Sequence, residues 1–269
     1  MHALSLHQVI AADAHPTEIV RAAAALDCQH VCLFTQGVGD PFPFPVVQDH
    51  EVADLRRLMD GLGVSALGTT TFPLPPETDV EAYAAGLERS ERLGSKVVNV
   101  RFLDSEHPRL AEDFARLGEL AGRHGIEISI EFMGYGRTGA LDHALDVIRQ
   151  AGRGKISIDP LHVVRTGTSL EALRRLDKGM IGYVQFCDGP LTASREVYAY
   201  EGGRERLPPG DGEFPLAEIL ALVPKDMAIS LEVPQDKARL QGVSVLERCR
   251  RAVDGMRRLM ERAEPEGAS

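Results

Sequence analysis

Three observations in the sequence predict an α/β protein of the closed (β/α)8 barrel class. Short apolar segments rich in β-branched residues alternate with amphipathic helical segments along the 269 residues. The alternation runs without a linker or a shift in composition, which indicates parallel strands joined by helical crossovers. Eight strand–helix units can be counted, and this number favours a closed barrel over an open doubly wound sheet. We expect residues 1–262 to form one barrel domain and residues 263–269 to form a polar tail.

The first four units occupy the N-terminal half of the chain. Alternating apolar residues predict the strands, and amphipathic periodicity closed by glycine predicts the helices. The strands are expected at residues 3–9, 30–35, 64–70 and 96–102, and the helices at 16–27, 47–63, 80–94 and 108–125. Thr78 or Asp79 is the expected N-cap of the third helix. The first strand lacks the Gly-rich turn of dinucleotide-binding folds, which weakens the open-sheet alternative.

The second half repeats the pattern with shorter strands. The strands are expected at residues 126–132, 155–159, 180–186 and 227–233, and the helices at 138–152, 169–177, 215–223 and 243–263. A long segment, residues 187–214, shows no periodicity and is predicted to be irregular.

The composition is that of a soluble globular protein, with 43% hydrophobic and 26% charged residues. The formal net charge of −10 disfavours binding to the nucleic-acid backbone. No apolar stretch approaches the ~20 residues needed to span a bilayer, so we expect no membrane association and a cytoplasmic location. The four cysteines are expected to be buried thiols rather than disulfides or zinc ligands. A small-molecule substrate is the expected partner, and a homo-oligomer is left open.

Three strands end on a carboxylate in the same sequence context. The tetrads ISIE, ISID and ISLE end at Glu131, Asp159 and Glu232, and a chain-turning segment follows each of them. Because side chains alternate along a strand, each carboxylate shares its face with a serine, and the aliphatic residues point toward the helices. The polar face is therefore the barrel interior. The three carboxylates should lie at the C-terminal mouth, where barrels of this class carry their active sites.

The three carboxylates would repel one another unless a positive charge lay between them. Four lysines precede strands and are expected at the opposite rim: Lys96, Lys155, Lys178 and Lys225. Gln185, at the end of the intervening strand, adds a neutral oxygen. We therefore predict one divalent ion, with Mn²⁺ or Mg²⁺ favoured and Zn²⁺ or Co²⁺ open, and the predicted ligands are Glu131, Asp159, Gln185 and Glu232. The alternative is that these residues are ordinary polar strand ends.

With these residues in view, the chain resembles the xylose isomerase-like TIM barrels, a superfamily of sugar isomerases, ketose 3-epimerases, inosose dehydratases and 3-dehydroshikimate dehydratases. The resemblance covers most of the chain. In that family a Glu, an Asp, a His and a Glu hold the metal, and the matching positions here are Glu131, Asp159, Gln185 and Glu232. The family's Asp-x-x-His is matched by Asp159 and His162. Its arginine before a Pro-Gly-x-Gly loop is matched by Arg206 before residues 209–212.

Gln185 departs from the pattern that epimerases of this family show, because it stands where they usually have histidine. As a harder ligand, glutamine should favour Mn²⁺ or Mg²⁺ over Zn²⁺. Glutamine at this place is similar to what some dehydratases of the family show. The chain also lacks tryptophan, although sugar-binding members often stack such a ring on the substrate.

Four further residues near the mouth are candidates for catalysis or substrate binding. His162 lies just past the sixth strand and is predicted to assist proton transfer, the alternative being that it only orients Asp159. Arg206 in the long loop and Arg101 at the end of the fourth strand are predicted substrate contacts. Asp188 is predicted to contact the substrate or to lie beside the metal ligands. For Arg206 the alternative is a solvated position in a charged loop.

The first hypothesis for function is a metal-dependent isomerase or epimerase of a sugar, sugar phosphate or similar polyhydroxylated carbonyl compound. By analogy with the family, the ion would stabilise an enediolate while Glu131 and Glu232 move the proton. The alternative keeps the site but expels a β-hydroxyl, as in dehydratases of the 3-dehydroshikimate or inosose type. DNA repair in the manner of endonuclease IV is disfavoured by the acidic charge and the missing histidine. A metal-free barrel that binds a partner is the fourth hypothesis.

Overall fold

Eight parallel strands pair in chain order, and the last pairs with the first, so that the sheet closes. This computed structural model describes residues 2–37, 44–101, 108–133 and 140–263. The strands are β1 Leu4–His7, β2 His30–Phe34, β3 Ser65–Pro73, β4 Val97–Arg101, β5 Glu127–Glu131, β6 Lys155–Ile158, β7 Ile181–Phe186 and β8 Ile229–Leu231. The predicted (β/α)8 barrel is confirmed.

Helices follow the strands and pack their apolar sides against the barrel. Within the described ranges they are α1 Pro16–Ala25, α2 Val52–Leu62, α3 Ala84–Leu93, α4 Leu110–Arg123, α5 Ala140–Ala151, α6 Pro160–Arg165, α7 Leu170–Arg175, α8 Arg195–Gly203, α9 Leu216–Leu220, α10 Asp236–Leu240 and α11 Val245–Ala263. In α4, for example, Leu110, Phe114, Leu117 and Ala121 are buried at the spacing of one helical face. The positions of the predicted tail from residue 264 onward lie outside the described residues.

One strand end and one segment predicted to be irregular differ from the predictions for a local reason. β1 ends at His7, two residues early, because the His7 side chain accepts from the Val9 amide and starts a 3-10 turn at Gln8–Ala11. The segment predicted to be irregular contains α8, which Ser194 caps by accepting from the Val197 amide. Only Tyr198 and Glu201 of α8 are buried, so this helix has no apolar stripe for a periodicity argument to detect.

The barrel interior is polar just below the mouth, as strand alternation predicts. The hydroxyl of Ser157 donates to Asn99 Oδ1 at 2.8 Å and lies 2.9 Å from the hydroxyl of Ser129. The isoleucines between these positions belong to the apolar core under the helices. All four cysteines are buried free thiols. Among the helices of the described residues, none is long and apolar enough to cross a bilayer.

Candidate active site

The three carboxylates predicted from the tetrads lie together at the C-terminal mouth. Glu131 is the last residue of β5, Asp159 follows β6 as the N-cap of α6, and Glu232 directly follows β8. All three residues are buried. Closure of the barrel brings these strand ends to one place, because the carboxyl ends of parallel strands share one rim.

Arg206 supplies a positive charge that the sequence analysis did not place among the carboxylates. Its Nη1 atom lies 2.8 Å from Asp159 Oδ2 and 2.8 Å from Glu232 Oε2, and its side chain is 1% exposed. The predicted divalent ion was inferred from the positions of the lysines alone, whereas Arg206 supplies a counter-charge from the long loop. Arg206 therefore neutralises part of the acidic cluster without a metal ion.

The other nitrogens of Arg206 also have protein partners. Nε donates to the carbonyl of Glu201 at 3.0 Å, and Nη2 donates to the carbonyl of Gly202 at 2.9 Å. Nη1 also donates to the backbone carbonyl of Glu232 at 3.2 Å, in addition to the two carboxylates. With these five oxygen acceptors, the guanidinium is held in place within the protein. This arrangement argues against the predicted role of Arg206 as a substrate clamp and assigns it to the support of Asp159 and Glu232.

Burial and charge act differently on the two carboxyl groups that share Arg206. Burial acts to raise the pKa of Asp159, but the nearby positive charge of Arg206 outweighs it and holds the pKa well below the usual range. Burial raises the pKa of Glu232 well above the usual range, and Arg206 offsets this only in part because Glu131 and Asp159 add negative charge. Of these two carboxyl groups, Glu232 is therefore the one that takes up a proton more readily. Since Oε2 accepts from Arg206, Oε1 is the atom placed to take it up.

His162 faces Glu131 and Asp159 from the first turn of α6. Its Nε2 atom lies 3.3 Å from Glu131 Oε1 and 3.9 Å from Asp159 Oδ2. Its Nδ1 atom lies 2.8 Å from the hydroxyl oxygen of Tyr198 on α8. The histidine is buried, and the tyrosine hydroxyl fixes the orientation of its ring.

One atom from each of Glu131, Asp159 and His162 lies within 4.8 Å of the other two, an arrangement that could hold a metal ion. Two ligands of one ion at about 2.1 Å are roughly 3 to 4 Å apart, and the two distances from His162 Nε2 lie in this range. Glu131 Oε1 also has no hydrogen-bond partner within the part of the chain that the structure describes. These residues are therefore suited to a divalent cation.

Gln185 and Glu232 complete the ligand set that the sequence predicted, and the structure gives each another contact. Gln185 Oε1 accepts from Asn99 Nδ2 at 3.3 Å, and the same amide donates to Glu131 Oε2 at 3.2 Å. Gln185 thus lies beside Glu131, one hydrogen-bonded residue away. Glu232 is directed to Arg206. His162 lies in the triad, and both its predicted role as an acid or base and the four-ligand set stay predictions.

Arg101 and Asp188, the two other predicted substrate contacts, lie in different environments. Arg101 ends β4 at the mouth, is partly exposed, and has an Nε atom without a hydrogen-bond partner among the described residues. Asp188 is buried and organises the long loop: Oδ1 accepts from the amides of Gly189 and Phe214, and Oδ2 accepts from that of Gly210. Among the described residues, nothing occupies the Nε atom of Arg101, so its role as a substrate contact stays a prediction. The carboxylate of Asp188 is occupied by backbone amides, which argues against substrate contact.

His7 is a residue of the mouth that the sequence analysis did not select. Alternation along β1 places His7 and Gln8 on opposite faces, so only one of them can line the mouth. His7 Nε2 lies 3.6 Å from Glu232 Oε1, whereas Gln8 bonds to the amide of Phe34 and the carbonyl of Pro45. Burial, with Arg206, lowers the pKa of His7 to about 3, so its ring is neutral.

Together, the fold and the site define a (β/α)8 barrel with a buried acidic cluster and a metal-suited triad at its C-terminal mouth. The chain belongs to the xylose isomerase-like TIM barrel family, whose family model matches residues 20–261. The predicted family resemblance is confirmed. The superfamily consists of enzymes, among them isomerases, epimerases and dehydratases.

Two kinds of relative are similar to this chain. The 3-dehydroshikimate dehydratase of Pseudomonas aeruginosa is 30% identical over 231 residues, which cover 79% of this chain and 35% of that protein. The chain thus spans about a third of the length of this curated relative.

Among solved structures, the IolI protein with a binding zinc atom has a TM-score of 0.81 at 16% identity, covering 98% of this chain and 99% of the other. A D-psicose 3-epimerase in the presence of D-fructose has a TM-score of 0.70 at 14% identity, covering 96% of this chain and 97% of the other. At these identities the solved structures establish the fold alone.

Proposed function

We propose that this chain is a divalent-metal-dependent enzyme that removes a proton beside the carbonyl of a small polyhydroxylated compound and then eliminates water. The observation that carries the proposal is the buried triad of Glu131, Asp159 and His162, with Arg206 Nη1 joining Asp159 to Glu232. The similarity to a 3-dehydroshikimate dehydratase supports elimination as the outcome and 3-dehydroshikimate as the substrate to test first. Dehydration is therefore the first candidate function, and isomerisation or epimerisation is the second. The sequence alone favoured them in the opposite order.

The proposed ligands are Glu131, Asp159 and His162, with Gln185 and Glu232 as the further candidates predicted from the sequence. Oxygen ligands favour Mn²⁺ or Mg²⁺, and the imidazole keeps Zn²⁺ and Co²⁺ in consideration. A bound ion would act as a Lewis acid toward the negative charge that develops on the substrate oxygen.

Glu232 is the proposed acid and base. Oε1 takes the proton from the carbon next to the carbonyl, and the electron pair of that C–H bond moves toward the carbonyl oxygen as an enolate. When the carbonyl re-forms, this electron pair makes the new C=C bond and the β-hydroxyl departs. The same proton passes from Oε1 to the departing hydroxyl, so that water leaves and no oxidant is consumed. Arg206 holds Oε2 and thereby fixes the direction in which Oε1 points. Arg101 is the proposed contact for a substrate carboxylate.

The direct test is to incubate the protein with Mn²⁺ or Mg²⁺ and 3-dehydroshikimate while recording ultraviolet absorbance. Conversion to an aromatic product creates a new band, and we expect chelation by EDTA to abolish it. Elemental analysis should find about one divalent ion per protein chain. Glu232→Gln removes the proposed base and should lower kcat by about 100-fold or more.

Glu218→Gln is the matched control. Glu218 lies on α9 and lines a surface pocket with Lys178 and Lys225, two residues that precede strands and so lie at the rim opposite the site. Full turnover in EDTA by protein without bound metal would contradict metal dependence. Failure to dehydrate 3-dehydroshikimate, together with metal-dependent epimerisation of keto-sugars seen by proton NMR, would reject the dehydratase and support the isomerase or epimerase alternative.

A further inference from the structure

His7 is a buried polar residue of the mouth to which the proposed reaction gives no role so far. It ends β1, which pairs with β8 so that Leu6 stands beside Leu231, and this register places His7 next to Glu232. Its side chain is 2% exposed. The ring packs edge-on against Phe34 at a centroid distance of 5.8 Å. The position of the ring is thus fixed by both strands and by an aromatic neighbour.

The backbone fixes the tautomer of the His7 ring. Nδ1 accepts a hydrogen bond from the Val9 amide at 3.1 Å, as the N-cap of the 3-10 turn. An atom that accepts from an N–H group carries no proton, so the proton of the neutral ring is on Nε2. His7 therefore presents an N–H donor at Nε2.

This donor points into the site without an acceptor. Nε2 has no hydrogen-bond partner within the residues that the structure describes. Glu232 Oε1 lies 3.6 Å away, which is longer than a hydrogen bond. Since buried donors in native proteins are nearly always paired, an acceptor that enters the site with the ligand is the expected partner.

We propose that His7 is a catalytic residue that donates a hydrogen bond from Nε2 to the carbonyl oxygen of a β-hydroxy carbonyl substrate. The inference rests on the proposed function, in which Glu232 Oε1 takes a proton from the adjacent carbon. A substrate seated against Oε1 brings an oxygen within reach of Nε2. Negative charge grows on that oxygen as the proton leaves, and a fixed N–H donor stabilises it in the transition state. The proton stays on Nε2 throughout.

Two substitutions separate the donor at Nε2 from the acceptor at Nδ1. Asparagine places its carboxamide near the Nδ1 position, where its oxygen can accept from Val9, and leaves no donor at the Nε2 position. Glutamine reaches the Nε2 position with an amide donor. With 3-dehydroshikimate we expect His7→Asn to lower kcat by about 100-fold with little change in KM, and His7→Gln to stay within about tenfold of wild type. Metal content and thermal midpoint should match wild type in both variants.

A second measurement reads the ring without turnover. Nitrogen-15 NMR of the metal-free, histidine-labelled protein should show a neutral His7 ring protonated at Nε2, assigned by its absence from His7→Gln. A proton on Nδ1 would overturn the proposal, as would wild-type kcat in a folded His7→Asn variant. If His7→Asn does not fold, loss of more than about 100-fold in kcat for a folded His7→Gln variant overturns it. If wild type does not turn over 3-dehydroshikimate, the proposed function fails, and the NMR tautomer alone supports or overturns the donor role of His7.

Discussion

Arg206 contacts two buried carboxyl groups at once through a single nitrogen atom. Removing a guanidinium and a carboxylate from water costs several kcal/mol for each ion, and their attraction in the interior offsets that cost when the geometry is good. The 2.8 Å contacts to Asp159 and Glu232 meet this condition. The net gain from such a cluster is small, but the loss of one member leaves the others buried and unpaired.

The first prediction concerns this residue. Arg206→Met should lower the free energy of unfolding of the metal-free protein by about 3–5 kcal/mol at neutral pH, because Asp159 loses its counter-charge. Urea denaturation followed by circular dichroism measures the change. Arg204→Met is the control, since Arg204 is one-third exposed and pairs with Asp236 at 3.8 Å, a contact expected to contribute less than about 1 kcal/mol. If the free energy of unfolding falls equally in Arg206→Met and Arg204→Met, Arg206 is not the counter-ion that stabilises buried Asp159.

At the scale of the element, α8 connects the long loop to the site. Arg165 on α6 forms a two-point ion pair with Glu201 on α8, with both nitrogen–oxygen distances at 2.7 Å. The carbonyls of Glu201 and Gly202, at the C-terminal end of α8, accept from Arg206. A cation at a helix C-terminus is favourable because the free carbonyls there are partly negative. One short helix thus positions Arg206 and, through Tyr198, the ring of His162.

The second prediction follows from the contact between α8 and His162. Tyr198→Phe removes the hydroxyl next to His162 Nδ1, and if His162 is a ligand we expect the affinity for Mn²⁺ to fall by about tenfold or more. Isothermal titration of metal-free protein with Mn²⁺ measures the affinity. Tyr200→Phe, two residues along the same helix and 43% exposed, is the matched control. If Tyr198→Phe leaves the affinity for Mn²⁺ unchanged, the result argues against His162 as a metal ligand. It would then favour the ligand set that contains Gln185 and Glu232.

For the whole molecule, closure of the barrel concentrates negative charge that the unfolded chain keeps apart. Glu131, Asp159 and Glu232 come from three different strand ends, and Arg206 engages only the last two of them. A cation that binds this cluster has no equivalent site in the unfolded chain. Binding should therefore stabilise the native state as a whole.

The third prediction is a metal-dependent shift in global stability. Mn²⁺ at about 100 times its dissociation constant should raise the free energy of unfolding by about 2.7 kcal/mol, with a matching rise in the thermal midpoint. Asp159→Asn should abolish most of the shift, whereas Glu218→Gln at the opposite rim should keep it. Circular dichroism melts with and without Mn²⁺ provide the measurement. The same midpoint for wild type in both conditions would argue against a metal site.

The sequence by itself determined the barrel and the rim at which its carboxylates lie. Strand alternation is a local property with a period of two, so Glu131, Asp159 and Glu232 could be assigned to one polar face without knowledge of any contact. The repeated order of strands and helices was equally local, and it predicted the closed sheet that the structure shows.

Only the tertiary structure decided which charges meet. Arg206 and Asp159 are 47 residues apart, and their contact depends on the path of a loop that has no periodicity of its own. The same holds for Asp188, whose carboxylate binds loop amides, and for His7, whose tautomer depends on a turn that ends β1 early. A residue's face follows from backbone geometry, whereas its partner follows from the packing of distant segments, and that packing is not encoded in any short stretch of the chain.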